Sequence, residues 1–248
     1  MSGKFSTCLT VRYQDTDAGL RMSPLALLGA MQEAAVLHAE AVGQGVAWHA
    51  ARQRVWMVVQ TWARVLRLPT WRSEVRVTTW ATEMGRLLSK REFLVEDSAG
   101  ELVRASTLWA FLDTAARQVT RVPPEVAAAY PLVEERLLGR SLPRPRACPR
   151  ADREEARCAR PRDIDSNGHV NNLRHLEWML DTLPDLPPEA SLLELNIRYQ
   201  REILPGARLR VRVAELPVRD GPGRRCCHEI VEPASGERHS TAETRWSA

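Results

Sequence analysis

The densest group of side chains able to do chemistry is the run Asp163-Ile164-Asp165-Ser166-Asn167-Gly168-His169-Val170-Asn171-Asn172. Read as extended chain, residues two apart share a side, so Asp163, Asp165, Asn167 and His169 face one way. A carboxylate, an amide and an imidazole on one face can activate water, orient it and polarise a carbonyl. Asn172 caps a helical pattern whose first N–H groups point at any anion or oxyanion held there.

Rival chemistries fit less well. Asp-x-Asp-x-Asn-Gly imitates a calcium loop, but the twelfth position, where a bidentate acid belongs, is Arg174, and Pro161 sits where the entering helix would run. His169 has no HExxH partner and no nearby thiolate set for zinc. The sequence contains no Gly-x-Ser-x-Gly elbow and no Rossmann or Walker glycine pattern. The plain alternative is an Asx-rich turn that only caps the next helix. Five polar side chains at alternating spacing exceed what a cap needs. Neither a metal nor an organic cofactor is expected.

The elements that must position these groups occur twice. Arg12-Tyr-Gln-Asp15-Thr-Asp17 and Arg160-Pro-Arg-Asp163-Ile-Asp165 stand 148 positions apart, as do Leu25 and Leu28 from Leu173 and Leu176. Later matches stand 136 apart: Leu68-Pro69 with Leu204-Pro205, Val75-Arg-Val77 with Val211-Arg-Val213, and the segments from Val95 and Val231 through Gly100 and Gly236. Four matches in the same order indicate duplication. At the chemical run, however, the first copy has Gly19 for Asn167 and Arg21 for His169. A turn needed only for folding should look alike in both copies, so one copy does chemistry and the other serves packing or substrate.

Each copy reads as an extended lead-in, one long helix and an antiparallel meander. Ser23-Pro24 caps a helix carrying Leu25, Leu28, Gln32, Ala35 and Ala39 up to Gly43. In the second copy Leu173, Leu176, Met179, Leu180 and Leu183 follow helical spacing until Pro184. Trp56 to Val65, Val75 to Trp80 and Leu209 to Val213 have strand character, with turns at Ser98-Ala-Gly100 and Ala234-Ser-Gly236. A short helix is expected near Glu125 to Leu138, and the proline- and arginine-rich stretch after it reads as linker. The fold class is α+β, each sheet covered by its helix.

Composition sets the frame. The 248 residues, 44% hydrophobic and 27% charged, exclude collagen, general disorder and a membrane span. Met1 to Thr10 has no apolar signal core, which points to the cytoplasm. Five cysteines without CxxC spacing argue against a disulfide framework. The net charge of +4 comes almost wholly from arginine, Lys4 and Lys90 being the only lysines. No run of five like charges suggests a nucleic-acid tail.

The run from Asp163 to Asn172, followed by Leu176-Glu-Trp178, resembles the active-site signature of acyl-acyl carrier protein thioesterases, the plant plastid and bacterial enzymes with tandem hotdog domains. Tyr13-Gln-Asp-Thr-Asp17, Met31-Gln-Glu-Ala-Ala35, Trp56 and Thr78-Thr-Trp80 are similar to the family's N-terminal blocks. The resemblance implies an N-terminal hotdog domain over 1–137 that binds the acyl chain, a linker over 138–155 and a catalytic hotdog domain over 156–248. It implies hydrolysis of fatty acyl-acyl carrier protein in fatty-acid biosynthesis, with Asp165, Asn167, His169 and Glu202 catalytic. Asp165 is nucleophile or general base, Asn167 holds register, and His169, tuned by Glu202, handles the proton or the water. Ile203 stands where plant members often carry cysteine, so a cysteine mechanism is excluded there. Strand alternation from Leu195, Ile197 and Tyr199 puts Glu202 on a polar face. Met22, Leu25, Leu28 and Met31 are expected to line the acyl tunnel. The partner implied is the acidic acyl carrier protein, met by arginines, with no nucleic acid or membrane involved and the chain a monomer or homodimer. Alternatives are an acyl-CoA thioesterase, a non-catalytic acyl-binding hotdog protein and a dehydratase using Glu177 or Asp181.

Overall fold

The computed structural model describes residues 3–148, 150–187, 189–218 and 223–248. The chain divides into two compact units, Met1–Leu142 and Pro143–Ala248.

In the first unit, β1 (Lys4–Thr10) leads through a 3-10 turn at Tyr13–Asp15 to α1 (Pro24–Ala41) and the short α2 (Val46–Ala51). Then come β2 (Arg54–Val65), β3 (Glu74–Met84), β4 (Leu88–Asp97) and β5 (Gly100–Asp113), with β6 (Gln118–Val119) and α3 (Pro124–Ala128) after them. The sheet runs β1-β3-β4-β5-β2, antiparallel throughout, with β6 paired to β5. The second unit repeats the plan. β7 (Arg153–Cys158), a 3-10 turn at Pro161–Asp163 and α4 (Asn172–Asp181) precede β8 (Leu192–Tyr199), β9 (Arg208–Leu216), β10 (Arg224–Val231) and β11 (Arg238–Trp246). Its order, β7-β9-β10-β11-β8, matches the first unit strand for strand. The α+β class and the helix-on-sheet hotdog plan therefore hold in both units.

Helix α1 starts where expected, with Ser23 Oγ accepting the Ala26 N–H at 3.2 Å and Pro24 at the first helical position. It stops at Gly43, whose φ of +75° costs a glycine nothing. The buried face is Leu27, Leu28, Met31, Ala34, Ala35 and His38, which shares Leu28 and Ala35 with the expected stripe but is rotated about the helix axis, leaving Leu25, Gln32 and Ala39 at its margins. His38 fixes that rotation: its ring stacks on Phe5 of β1, 5.4 Å between centroids, and its Nδ1 lies 2.9 Å from the Arg91 guanidinium of β4. Each large side chain on this face contributes about 1.5–3 kcal/mol by leaving water.

Register refines the internal repeat. Leu9 pairs with Val75 on β3, while Arg157, 148 positions after Leu9, pairs with Leu209 on β9. The strands thus correspond at 134 rather than 136, and β3 and β9 open on the same alternation of exposed and buried residues. A two-residue slip keeps every side chain on its own face, which is why the sequence match tolerated it.

The stretch expected to be linker is partly built into the units. The helix near residue 125 is only Pro124–Ala128. Trp80 Nε1 donates to the Glu135 carbonyl at 2.8 Å, the Leu137 N–H to Glu92 Oε2 at 3.2 Å, and Lys90 Nζ to the carbonyls of Gly139 and Arg140. In the second unit β7 begins at Arg153, inside the 138–155 span read as linker.

Candidate active site

The Asp163–His169 run is not extended. Pro161–Asp163 forms the 3-10 turn, Ile164 bridges Val170, and the chain between them reverses tightly. The Asp165 N–H donates to the His169 carbonyl at 2.9 Å and the Gly168 N–H to the Asp165 carbonyl at 3.0 Å. The Asn167 N–H closes an Asx turn on Asp165 Oδ1 at 2.8 Å, and Gly168 supplies the positive φ of +80° that the reversal needs. The four side chains therefore part company. Asp163 turns inward, its carboxylate accepting the Arg160 N–H at 2.8 Å, and serves the fold. Asn167 is exposed. Asp165 and His169 are brought together, Nδ1 standing 3.7 Å from Oδ1.

His169 is buried, and its Nδ1 also faces the Val170 carbonyl at 3.3 Å. A carbonyl only accepts, so Nδ1 is the donor, and in the neutral imidazole Nε2 is then the nitrogen with the lone pair. The Val170 N–H donates to the Ile203 carbonyl at 2.9 Å, which draws the segment bearing Glu202 alongside the turn. Glu202 is exposed and lies beyond β8, which ends at Tyr199; it owes its place to this bond and not to strand alternation.

Helix α4 is capped by Asn171, one residue before the expected Asn172: Asn171 Oδ1 accepts the Leu173 N–H at 2.8 Å. The Arg174 N–H goes to the Asn171 carbonyl at 2.9 Å. Two of the first amides expected to face an oxyanion are thus engaged by the cap. Arg174 itself is paired with Glu177 at 2.5 Å and stands 4.0 Å from Asp163, a cation where a calcium loop needs a carboxylate. Among the described residues no group of three His, Cys, Asp or Glu side chains could hold a metal.

Sequence reasoning missed His175. It sits 148 positions after Leu27, so a buried leucine in one copy facing a histidine in the other was the available signal. Its Nδ1 lies 3.0 Å from Ser240 Oγ, and Tyr199 packs edge-on against its ring. Burial, with help from the charges of His239 and His169, pushes His175 down to about 3, so it is neutral. The Tyr199 hydroxyl donates to the Asn172 carbonyl at 3.3 Å, and burial raises its pKa.

The first unit makes the same turn without the same chemistry. Asp17 N–H to Arg21 C=O (2.8 Å), Leu20 N–H to Asp17 C=O (3.0 Å) and Gly19 N–H to Asp17 Oδ1 (2.8 Å) reproduce the three bonds of the second. Arg21 Nε takes the place of the imidazole, 3.0 Å from Asp17 Oδ2. Leu20 must hold a φ of +58° where Gly168 does so freely. The Met22 N–H donates to the Pro69 carbonyl as Val170 does to Ile203, so Glu202 corresponds to the buried Leu68. Met22 precedes α1, bridged to Thr16, while Leu28 and Met31 lie in the core and Leu25 at its margin.

Comparison with known proteins matches each half of the chain to a family model of its own. Residues 2–130 match the model of the acyl-ACP thioesterase N-terminal domain, and residues 149–248 that of the acyl-ACP thioesterase C-terminal domain. A chloroplastic dodecanoyl-acyl-carrier-protein hydrolase of Cinnamomum camphora is 26% identical over 98% of this chain and 67% of its own. A chloroplastic acyl-acyl-carrier-protein hydrolase of Cuphea viscosissima, FATB2, is 27% identical over 75% of this chain and 47% of its own. The chain covers between 38% and 67% of the length of the curated relatives it matches. The solved 12:0-ACP thioesterase of Umbellularia californica superposes with a TM-score of 0.85 at 27% identity, covering 98% of this chain and 94% of that one. An acyl-ACP thioesterase of Bacteroides thetaiotaomicron, at 20% identity, shares the fold with a TM-score of 0.84, covering 99% and 98%.

Proposed function

This chain belongs to the acyl-ACP thioesterase family, and on that footing we propose that it hydrolyses fatty acyl-acyl carrier protein to free fatty acid and the carrier's thiol. The observation that carries the reading is the Asp165–His169 pair, 3.7 Å apart in a turn whose counterpart in the first unit holds arginine instead.

His169 Nε2 takes a proton from water as that water attacks the thioester carbonyl. Asp165, facing Nδ1, orients the ring and stabilises the imidazolium. The tetrahedral intermediate then expels the thiolate, and the imidazolium returns the proton to sulfur. Water's oxygen ends in the carboxylic acid, and no group on the protein is consumed. Asn167, exposed at the tip of the turn, holds the substrate arm in register. Glu202, held beside the turn through Ile203, assists the histidine. The acyl chain belongs to the first unit, along Leu25, Leu28 and Met31 of α1, with Met22 at its root. Arg160 and Arg162, exposed just ahead of the turn, suit an acidic carrier.

No helix among the described residues is long and apolar enough to cross a membrane. The test is a rate comparison on the same acyl group carried by acyl carrier protein and by coenzyme A, following thiol release. Faster turnover of the carrier-bound form supports the reading. Preference for coenzyme A overturns the donor, and release of no thiol from either overturns the activity.

A further inference from the structure

We infer that His239 is a positioning residue for Glu202, an assignment that rests on the catalytic reading of Glu202. Glu202 needs such a device. β8 ends at Tyr199, so Gln200, Arg201 and Glu202 leave the sheet, and Glu202 is exposed in a loop. A catalytic carboxylate in that setting must be located by something other than a strand ladder.

His239, the second residue of β11, grips this loop from two directions. Its carbonyl accepts both the Gln200 N–H at 2.8 Å and the Arg201 N–H at 3.1 Å. Its ring Nδ1 lies 3.0 Å from the Glu202 carbonyl, and since that oxygen only accepts, Nδ1 is the donor. Two further contacts tie the same loop to the same strand end: Thr241 Oγ1 with Gln200 Oε1 at 2.8 Å, and Arg201 with Glu237 at 2.7 Å. The last is an exposed ion pair and adds little. Immediately after Glu202, the Ile203 carbonyl receives the Val170 N–H from the site turn. The peptide units on either side of Ile203, the first of which carries the Glu202 carbonyl, are therefore pinned, one by His239 and one by the residue after His169. Of these anchors the imidazole is the one made by a side chain, and so the one that a substitution removes without touching the main chain.

The charges of His239 and His169 both bear on the buried His175. His239 itself does not touch substrate in this assignment. It acts through the Glu202 peptide, and small displacements of a catalytic group cost rate out of proportion to their size.

Four variants test this on an acyl-acyl carrier protein substrate: His239→Leu, His239→Asn, Glu202→Gln, and His239→Leu combined with Glu202→Gln. Leucine keeps the bulk of the ring and removes the donor; asparagine returns an N–H near the position of Nδ1. The expected result is a kcat for His239→Leu lower by roughly tenfold or more with KM little changed, restored largely by asparagine. In the Glu202→Gln background His239→Leu should add almost nothing, because the two act as a unit. A wild-type kcat for His239→Leu alongside a crippled Glu202→Gln overturns the role of His239 and leaves Glu202 standing. A wild-type kcat for Glu202→Gln removes Glu202 from the reaction and the inference with it. Equal losses from leucine in both backgrounds, or no rescue by asparagine, reduce His239 to a general structural contact and also overturn the inference.

Discussion

The imidazole of His169 and the carboxylate of Asp165 stand 3.7 Å apart across a turn that their own main chain closes, the Asp165 N–H donating to the His169 carbonyl at 2.9 Å. The spacing that brings the two side chains together is thus set by backbone hydrogen bonds. The first unit forms the same bonds around Asp17 and Arg21. Scaffold and chemistry are separable here, and that separation can be tested.

Replacing Asp165 or His169 by alanine should lower kcat at least a hundredfold, the range in which acid–base groups act. Alanine at 165 loses one Asx bond from the Asn167 N–H and alanine at 169 a contact to the Val170 carbonyl, while the main-chain bonds that close the turn remain, so folding should survive. The matched control is Arg21→Ala in the first unit, expected to leave kcat within a few-fold. Kinetics with circular dichroism on all three decides it; equal losses from Arg21→Ala and His169→Ala would contradict the assignment.

The route of the attacking oxygen separates the two roles open to Asp165. If His169 activates water directly, turnover in heavy-oxygen water labels the fatty acid and leaves the Asp165 carboxylate unlabelled. If Asp165 attacks and forms an anhydride that water opens at the Asp165 carbonyl, repeated turnover places label in its side chain. Mass spectrometry of the peptide containing Asp165 reads the difference. We expect no label there.

Acid should weaken the fold through its buried histidines, among them His38, His175 and His228. Burial, aided at His38 by the Arg91 charge, pushes His38 to about 4, His175 to about 3 and His228 to about 4. Unfolded, each titrates near 6.5, so between that value and the folded one the unfolded chain binds more protons. Stability is therefore full above about pH 6.5 and falls with acid at about 1.4 kcal/mol per pH unit for each histidine still neutral in the fold. Denaturant midpoints across this window test it. His175→Leu, which copies Leu27 of the first unit, should reduce the slope by about one proton; an unchanged slope rules out His175 as a source.

Lys90 and Glu92 form a buried pair on β4, 3.3 Å between Nζ and Oε1, with side chains 4% and 0% exposed. The pair holds the Leu137–Arg140 stretch, Glu92 through the Leu137 N–H and Lys90 through two carbonyls. Lys90→Met strands a buried carboxylate and should cost about 3–5 kcal/mol. Chemical denaturation measures it, and a loss below about 1 kcal/mol would show that Glu92 finds other compensation.

Much of the local structure was legible because its causes are local. Ser23-Pro24 starts α1 and Gly43 ends it. Ser98 to Gly100 and Ala234 to Gly236 lie at the β4–β5 and β10–β11 turns, as turn chemistry required. The rotation of α1 was not legible, since it depends on Phe5 and Arg91 meeting His38 from other strands. The linker misled for a related reason. Gly139 and Arg140 fall in the span read as spacer, yet Lys90 reaches across from the sheet to hold their carbonyls, as Trp80 and Glu92 hold Glu135 and Leu137 just before them.

The sequence by itself determined that the chain is two copies of one helix-on-sheet plan, and that only the second copy carries Asp165, Asn167 and His169 together. Periodicity, caps and repetition act over a few residues, and the chain cannot hide them. What the tertiary structure decided is which of those groups meet. Asp163 turns inward to the Arg160 N–H while Asp165 turns to His169, although both are aspartates two residues apart. Glu202 comes beside the turn through the bond from Val170 to Ile203, and His239 reaches Glu202 across 37 positions of chain. Such contacts form only once the strands have paired, because their geometry is set by the closed sheet and by no property of the residues between.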